Sequence, residues 1–335
     1  MNRQPASIEI RGLTKKYGNL LAIDHIDFDV YEGELFGFLG PNGAGKTTTI
    51  NILTTLLKPT SGSAKVGGFD VVTEAEKVRN VIGLVPQEIT VDDDLTGREN
   101  LVLQAALYHI PTLEARNRIE EVLELVGLSD AAGRKVEIYS GGMKKRLEIA
   151  DGLIHRPRIL FLDEPTLGLD VQTRTAIWDY IRWLRKEYNM TIFLTTHYME
   201  EADSLCDRVA IIDHGQVKAI DTPSRLKDSL GGDIVEIMIQ QPPPNIISQL
   251  QSVPLVKKVH GGSDSFKLTV ERGEEALPRI LEHVMSWGLR VTRVVLQRPT
   301  LDQVYLEYTG SSLREEHESW EDTFRQRMTR RRMRT

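Results

Sequence analysis

Leu35-Phe36-Gly37-Phe38-Leu39-Gly40-Pro41-Asn42-Gly43-Ala44-Gly45-Lys46-Thr47-Thr48 decides how this chain is read. The run from Glu34 to Gly40 has the pattern of a buried strand, the residues after it satisfy G-x-x-x-x-G-K-[ST], and a helix-like Thr47–Leu57 follows. Glycines let the backbone curl until its N–H groups point at an anion, and a helix start adds the positive end of its dipole. Without a strand before it and a helix after it, such a loop is an ordinary turn. With both, Gly40, Pro41, Asn42, Gly43, Ala44, Gly45, Lys46, Thr47 and Thr48 read as a phosphate cradle. Lys46 is expected to neutralise the β- and γ-phosphates, and the Thr47 hydroxyl to ligate Mg²⁺.

Two further strand ends point to the same place. Ile159-Leu160-Phe161-Leu162 is followed by Asp163-Glu164, 116 residues beyond Thr47. In an open α/β sheet, ligands sit at the carboxyl ends of strands, so both carboxylates are expected to face the phosphate loop. Asp163 would hold Mg²⁺, directly or through water, and Glu164 would polarise an attacking water. Alone, an apolar run ending in Asp-Glu is merely a strand end; the phosphate loop changes that weighting. Ile192-Phe193-Leu194-Thr195-Thr196 delivers His197 to this edge, whereas the other seven histidines read as structural. Gln87, after Gly83-Leu84-Val85-Pro86, is a neutral donor and acceptor suited to bridge Mg²⁺ and the water.

Around these strand ends the first 220 or so residues alternate apolar runs with helical patterns, the mark of an α/β domain with much parallel sheet. Ile26, Phe28 and Val30 alternate as a strand; Ile119, Val122, Leu123 and Val126 recur at helical spacing, as do Ile177, Tyr180, Ile181, Leu184 and Tyr188. Val209–Val217 reads as a closing hairpin. These patterns define a domain at 1–222, with a helical subdomain at about 92–157, and a short helical connection at 223–232. Beyond it, strand (Ile234–Ile239), helix (Ile246–Val253), strand (Val256–His260), strand (Phe266–Val270), helix (Glu275–Trp287) and strand (Val291–Leu296) follow in βαββαβ order. That order predicts a small ferredoxin-like α+β domain over 233–310. The end of the chain, 311–335, reads as a charged, disordered tail, acidic from Glu315 to Asp322 and then basic through Arg325, Arg327, Arg330, Arg331, Arg332 and Arg334.

Bulk properties narrow the function. Lys and Arg number 42 against 48 Asp and Glu, a net charge of −6 that suits a dedicated DNA-binding protein poorly. The single cysteine, Cys206, excludes an internal disulfide or a multi-cysteine zinc site and fits a reducing cytosol. No stretch approaches the roughly 18–20 apolar residues of a spanning helix, and the opening MNRQPASIEI lacks the apolar core of a secretory signal. Any membrane role is therefore expected to pass through a partner.

Tyr139-Ser140-Gly141-Gly142-Met143-Lys144-Lys145-Arg146, with 12 residues between it and Ile159, resembles the signature motif of ABC transporter ATPases. The phosphate loop, Gln87, this motif, Asp163-Glu164, Asp170 and His197 occur in that family's order over roughly residues 6–222. The resemblance implies a P-loop NTPase fold, ATP and Mg²⁺ as ligands, and a head-to-tail homodimer enclosing two ATPs. It implies that Tyr17 stacks on adenine and that Ser140, Gly141 and Gly142 meet the ATP held by the other subunit. Asp170 would lie in a loop linking the two sites. As physics, Ser-Gly-Gly at a helix start is a second anion nest; by itself it would be only a helix cap.

Two departures stand out: Met143 where Gln is commoner, and Gly168 where many members carry Ala. Together with Pro299–Gly310, they make the chain resemble the daunorubicin-resistance type of exporter ATPase. That type implies ATP hydrolysis driving a separate multi-span permease at the cytoplasmic face of the membrane, with a drug, lipid or other hydrophobic compound as cargo. The competing reading is a soluble ABC ATPase acting on ribosomes or nucleic acid. Against it, a second phosphate-loop motif is absent and the 116 residues between Thr47 and Asp163 leave no room for a long coiled coil; only the arginine-rich tail favours it.

Overall fold

The computed structural model describes residues 5–310, so the expected tail at 311–335 lies outside the described residues. Two compact units divide between Ile220 and Asp221.

The first unit runs β1 (Ala6–Tyr17), β2 (Leu20–Tyr31), β3 (Leu35–Leu39), α1 (Lys46–Leu53), β4 (Ser61–Val66), β5 (Phe69–Asp70), α2 (Ala75–Val81) and β6 (Ile82–Val85). Three helices follow, α3 (Gly97–Leu107), α4 (Thr112–Leu125) and α5 (Gly141–Leu153). Then come β7 (Ile159–Asp163), α6 (Val171–Tyr188), β8 (Thr191–Thr196), α7 (Met199–Leu205), β9 (Arg208–Asp213) and β10 (Gln216–Asp221). Six strands form one sheet in the order β10-β9-β3-β8-β7-β6, parallel from β9 through β6. Every residue of β3 and β7 is buried, which explains their unbroken apolar runs: such strands are covered on both faces.

A second sheet, β2-β1-β4-β5, is antiparallel throughout and was not anticipated. Its inner residues Ile8, Ile10, Phe28 and Val30 pack with Phe36, Phe38, Phe161 and Phe193 of the six-stranded sheet. Phe28 stacks on Phe36 at 5.3 Å, and Phe193 lies 5.5 Å from Phe38 and 5.6 Å from Phe161. Burying each such ring contributes about 1.5–3 kcal/mol, an upper figure. This core holds the two sheets together beneath α1.

The helix expected over Thr47–Leu57 is shorter. It ends at Leu53 because Thr54 turns its hydroxyl onto the Ile50 carbonyl (2.9 Å) and Thr55 adopts a left-handed φ of 68°. The expected hairpin is present as β9–β10, turned by His214 and Gly215, both at positive φ. Among the described residues no helix is long and apolar enough to cross a membrane.

The second unit comprises α8 (Pro223–Asp228), β11 (Asp233–Gln240), α9 (Ile246–Gln251), β12 (Val256–Gly262), β13 (Ser265–Val270), α10 (Gly273–Ser286), β14 (Arg290–Gln297) and α11 (Leu301–Thr309). Its sheet, β12-β13-β11-β14, is antiparallel at each pairing, the ferredoxin-like arrangement. Val235, Ile237, Ile239, Phe266 and Leu268 pack with Ile280 and Val284 of α10 in a separate core. Within the stretch expected to connect, 223–232, α8 starts at the Thr222 cap and buries Leu226. Helix α11 went unread, although Thr300 and Gln303 cap each other's backbone N–H reciprocally at its start.

Candidate functional site

Four neighbouring strands finish level at one sheet edge. In register, Leu39 of β3 faces Thr196 of β8, Thr195 faces Asp163 of β7, and Leu162 faces Val85 of β6. Whatever follows each strand is delivered to that edge: the Gly40–Thr48 loop, His197, the Asp163-Glu164 pair, and the bend that carries Gln87.

The loop is clamped at both ends. A Cβ on Gly40 would stand 2.3 Å from the Ile212 carbonyl, and one on Gly45, at φ 107°, would stand 2.6 Å from the Ala22 carbonyl. Only glycine fits either position. Ala22 belongs to the β1–β2 hairpin, whose tip pairs Tyr17 with Leu20, and the Tyr17 ring is half exposed. Lys15 Nζ lies 5.2 Å from that ring. Asn42 and Gly43 form the open side of the curl.

Lys46 is almost fully buried and uses all three of its donors. Its Nζ donates to the carbonyls of Gly40 (2.7 Å) and Pro41 (2.9 Å) and pairs with Glu164 Oε1 at 3.0 Å. The other Glu164 oxygen, Oε2, lies 3.0 Å from Nδ1 of His197. Burial lowers the Lys46 pKa, and the charges of Glu164 and Asp163 offset this only in part. Burial would raise Glu164, but the His197 hydrogen bond and the Lys46 charge outweigh it and hold the carboxyl below its ordinary value. Burial raises Asp163, although hydroxyls of Thr195 and Thr47 hydrogen-bond to it.

Glu164 has a left-handed backbone, φ 48°. Successive residues of a regular strand point to opposite faces. This turn brings Glu164 to Lys46 while Asp163, one residue earlier, reaches Thr47 on the same cradle. The Glu164 N–H is shared by the carbonyl and the hydroxyl of Thr195, both at 3.1 Å. Thr195, whose hydroxyl also donates to Asp163, escaped the sequence reading. Its signal was a polar residue inside a wholly buried strand.

A second group stands apart from this bonded cluster among the described residues. Ser140 caps α5, accepting from Met143 N at 3.3 Å, and leaves Ser140 and Gly141 exposed. A Cβ on Gly142 would stand 2.4 Å from Thr173 Cγ2, and Thr173 in turn donates its N–H (2.9 Å) and hydroxyl (2.6 Å) to Asp170, the cap of α6. The anion nest and Asp170 thus share one neighbour. Gly168, between them and Glu164, sits at φ 74°, where alanine would be strained; this accounts for glycine at that position. Gln87 is exposed and bonded to neither group among the described residues.

The donor set fits a magnesium–triphosphate. A glycine-rich curl, a buried ammonium and a helix start suit the phosphates. The Thr47 hydroxyl and the Asp163 carboxylate, which it helps to hold in its charged form, are hard oxygen donors. Among the described residues there is no group of three or more His, Cys, Asp or Glu placed to hold a metal ion. Mg²⁺ is commonly bound through one or two protein oxygens together with substrate phosphates and water.

Comparison with known proteins places the chain in a family. The family model for the ABC transporter matches residues 23–167, and that for the ATP-binding protein DrrA1-3-like C-terminal domain matches 222–309. The daunorubicin resistance ATP-binding protein DrrA3 of Streptomyces coeruleorubidus is 41% identical over 309 residues, covering 92% of this chain and 97% of that one. The linearmycin resistance ATP-binding protein LnrL of Bacillus subtilis (strain 168) is 37% identical over 311 residues, covering 92% and 100%. Among solved structures, the ATP-binding cassette MJ0796, a dimer in a post-hydrolysis state bound to ADP and Pi, superposes with a TM-score of 0.58 at 29% identity, covering 64% of this chain and 98% of that one.

Proposed function

The chain belongs to the ABC transporter family as an ATP-hydrolysing export subunit, and from that premise we propose how its residues divide the work. Gly40–Thr48 cradles the triphosphate, with Lys46 on the β- and γ-phosphates and the Tyr17 ring against adenine. Thr47 and Asp163 hold Mg²⁺, which when bound offsets phosphate charge, and Gln87 lies at the margin of that ion and the water. Glu164 accepts the proton of the attacking water, and His197 fixes the carboxylate's orientation. The observation that carries this reading is the buried chain Lys46–Glu164–His197 at a shared strand edge.

The exposed Ser140–Gly142 nest finds its anion on a second copy of the chain, and Asp170 lies beside it. Two copies would then close head to tail around two ATPs; the relative MJ0796 is itself a dimer, bound to ADP and Pi. Closure performs work on a partner only to the extent that ATP binds the closed state more tightly than the open one. The partner we infer is a multi-span permease that holds this subunit at the cytoplasmic face of the membrane. The resistance relatives favour a bulky hydrophobic antibiotic as cargo. Both are resistance proteins by name, so the ribosome or nucleic-acid alternative gains nothing from them.

Replacing Glu164 with Gln keeps the side chain's size and removes its basicity. The Glu164→Gln protein should bind ATP, lose turnover by at least about 100-fold, and accumulate as an ATP-bound dimer in size-exclusion chromatography with light scattering. Normal turnover would refute the role given to Glu164. Mass spectrometry of what the chain retains from gently solubilised membranes tests the permease; recovery only with ribosomes would overturn it.

A further inference from the structure

Behind the Lys46–Glu164–His197 chain lies a carboxylate that the mechanism does not use. Glu201, on α7 and four residues past His197, has no exposed surface. Its Oε1 accepts from the Thr166 hydroxyl at 2.8 Å and from the Trp178 indole N–H at 2.8 Å. Burial raises its pKa, against the hydroxyls of Thr196 and Thr166, the indole of Trp178 and the charge of Arg174.

Its other oxygen, Oε2, is buried and has no hydrogen-bond partner among the described residues. Thr166, Trp178 and Glu201 itself belong to three different pieces of the site. Thr166 lies two residues after Glu164, in the loop that runs on to Asp170. Thr196 lies immediately before His197, and its hydroxyl accepts the Tyr198 N–H at 2.9 Å. Trp178 and Arg174 are on α6, the helix that Asp170 caps. A carboxylate taken wholly out of water is costly, and space-filling alone would be served as well by an apolar side chain. A buried polar group with several fixed donors instead specifies one arrangement of the segments it joins.

We propose that Glu201 is a positioning residue for ATP hydrolysis: through Thr166 and Trp178 it ties the 164–170 loop and α7, the helix that follows His197, to α6, so that Glu164, His197 and Asp170 keep one relative placement. The inference rests on the ATPase reading above. Glu201 is sealed from substrate and acts only through Thr166 and Trp178.

Steady-state kinetics and equilibrium ATP binding on the full chain test it. Glu201→Ala should lower kcat about 10- to 100-fold, the range typical of residues that orient a reacting group, with ATP affinity changed less than about threefold. Glu201→Gln, whose amide oxygen still accepts from Thr166 and Trp178, should restore most of the rate. Combined with His197→Ala, Glu201→Ala should cost little more than His197→Ala alone, because both act through the placement of Glu164. Thr166→Val deletes one hydrogen bond while keeping the shape, and should lower kcat several-fold even if Glu201→Ala fails to fold. Full turnover in Glu201→Ala or Thr166→Val would overturn the proposal. So would a kcat loss that tracks falling ATP affinity or melting temperature, or losses that multiply with His197→Ala. A wild-type chain that binds no ATP would sink the ATPase reading and this inference with it, whereas unimpaired variants of an active parent sink this inference alone.

Discussion

Asp151 shows how one buried group sets a pH dependence apart from the site. On α5, its Oδ1 has no hydrogen-bond partner among the described residues. Burial, with the charge of Glu148 beside it, lifts its pKa to about 7, and its own charge helps raise that of the half-buried Tyr108. An unfolded aspartate titrates near ~4. Between that value and about 7 the folded chain therefore keeps a proton that the unfolded chain has released, and this group weakens the fold as pH rises. Above the folded pKa the penalty is complete and stops growing. Asp151→Asn removes it, so the variant should gain more in melting temperature at pH 8 than at pH 5, by at least about 2 °C. Other titrating groups are common to both proteins and cancel in the difference. Equal gains at the two pH values would show that Asp151 does not titrate in this way.

At the scale of elements, α5 grips the segment after β6. Lys145 and Glu148 pair at 2.7 Å, one turn apart and nearly sealed from solvent. Glu148 accepts from Thr90 N at 2.7 Å, Lys145 donates to the Pro86 carbonyl at 3.2 Å, and Lys144 pairs with Asp93 at 2.6 Å. The helix that begins with the Ser140 nest thus holds the segment that carries Gln87. Glu148→Ala would strand a buried ammonium and should cost roughly 3–5 kcal/mol in urea unfolding. Lys145→Met with Glu148→Leu removes both charges and should lie much closer to the parent; a double variant as unstable as the single one would refute this. The start of α5 was legible in Ser-Gly-Gly, but its grip was not, because Pro86 and Thr90 lie nearly sixty positions away. The antiparallel sheet was hidden for a similar reason. Its β4, Ser-Gly-Ser-Ala-Lys-Val, opens with three exposed residues and pairs with β1 some fifty positions earlier. For α11 a signal existed in Thr300-x-x-Gln303 and went unused.

For the molecule as a whole, the Lys46–Glu164–His197 cluster was legible because its residues follow strands, and a parallel sheet lines strand ends up at one edge. What stayed hidden, Thr195 and Glu201, is bonded across strands and helices, and no spacing along the chain announces that. The second unit draws on its own apolar cluster, formed within residues 235–284. A fragment spanning 221–310 should therefore fold alone and melt in a single cooperative transition followed by circular dichroism. A fragment without cooperative melting would mean that this unit borrows its stability from the rest of the chain.

The left-handed backbone at Glu164 carries a consequence beyond its geometry. A glutamate in that conformation is worse off locally by roughly 1–2 kcal/mol, and the surrounding interior has to hold it there. In the proposed mechanism the arrangement would let two adjacent residues serve as cation ligand and proton acceptor on the same side, a separation of duties that an unstrained strand cannot offer. Local preference and working geometry disagree at this residue, and the fold sides with the work. Enzymes keep such conflicts where selection acts on turnover rather than on durability.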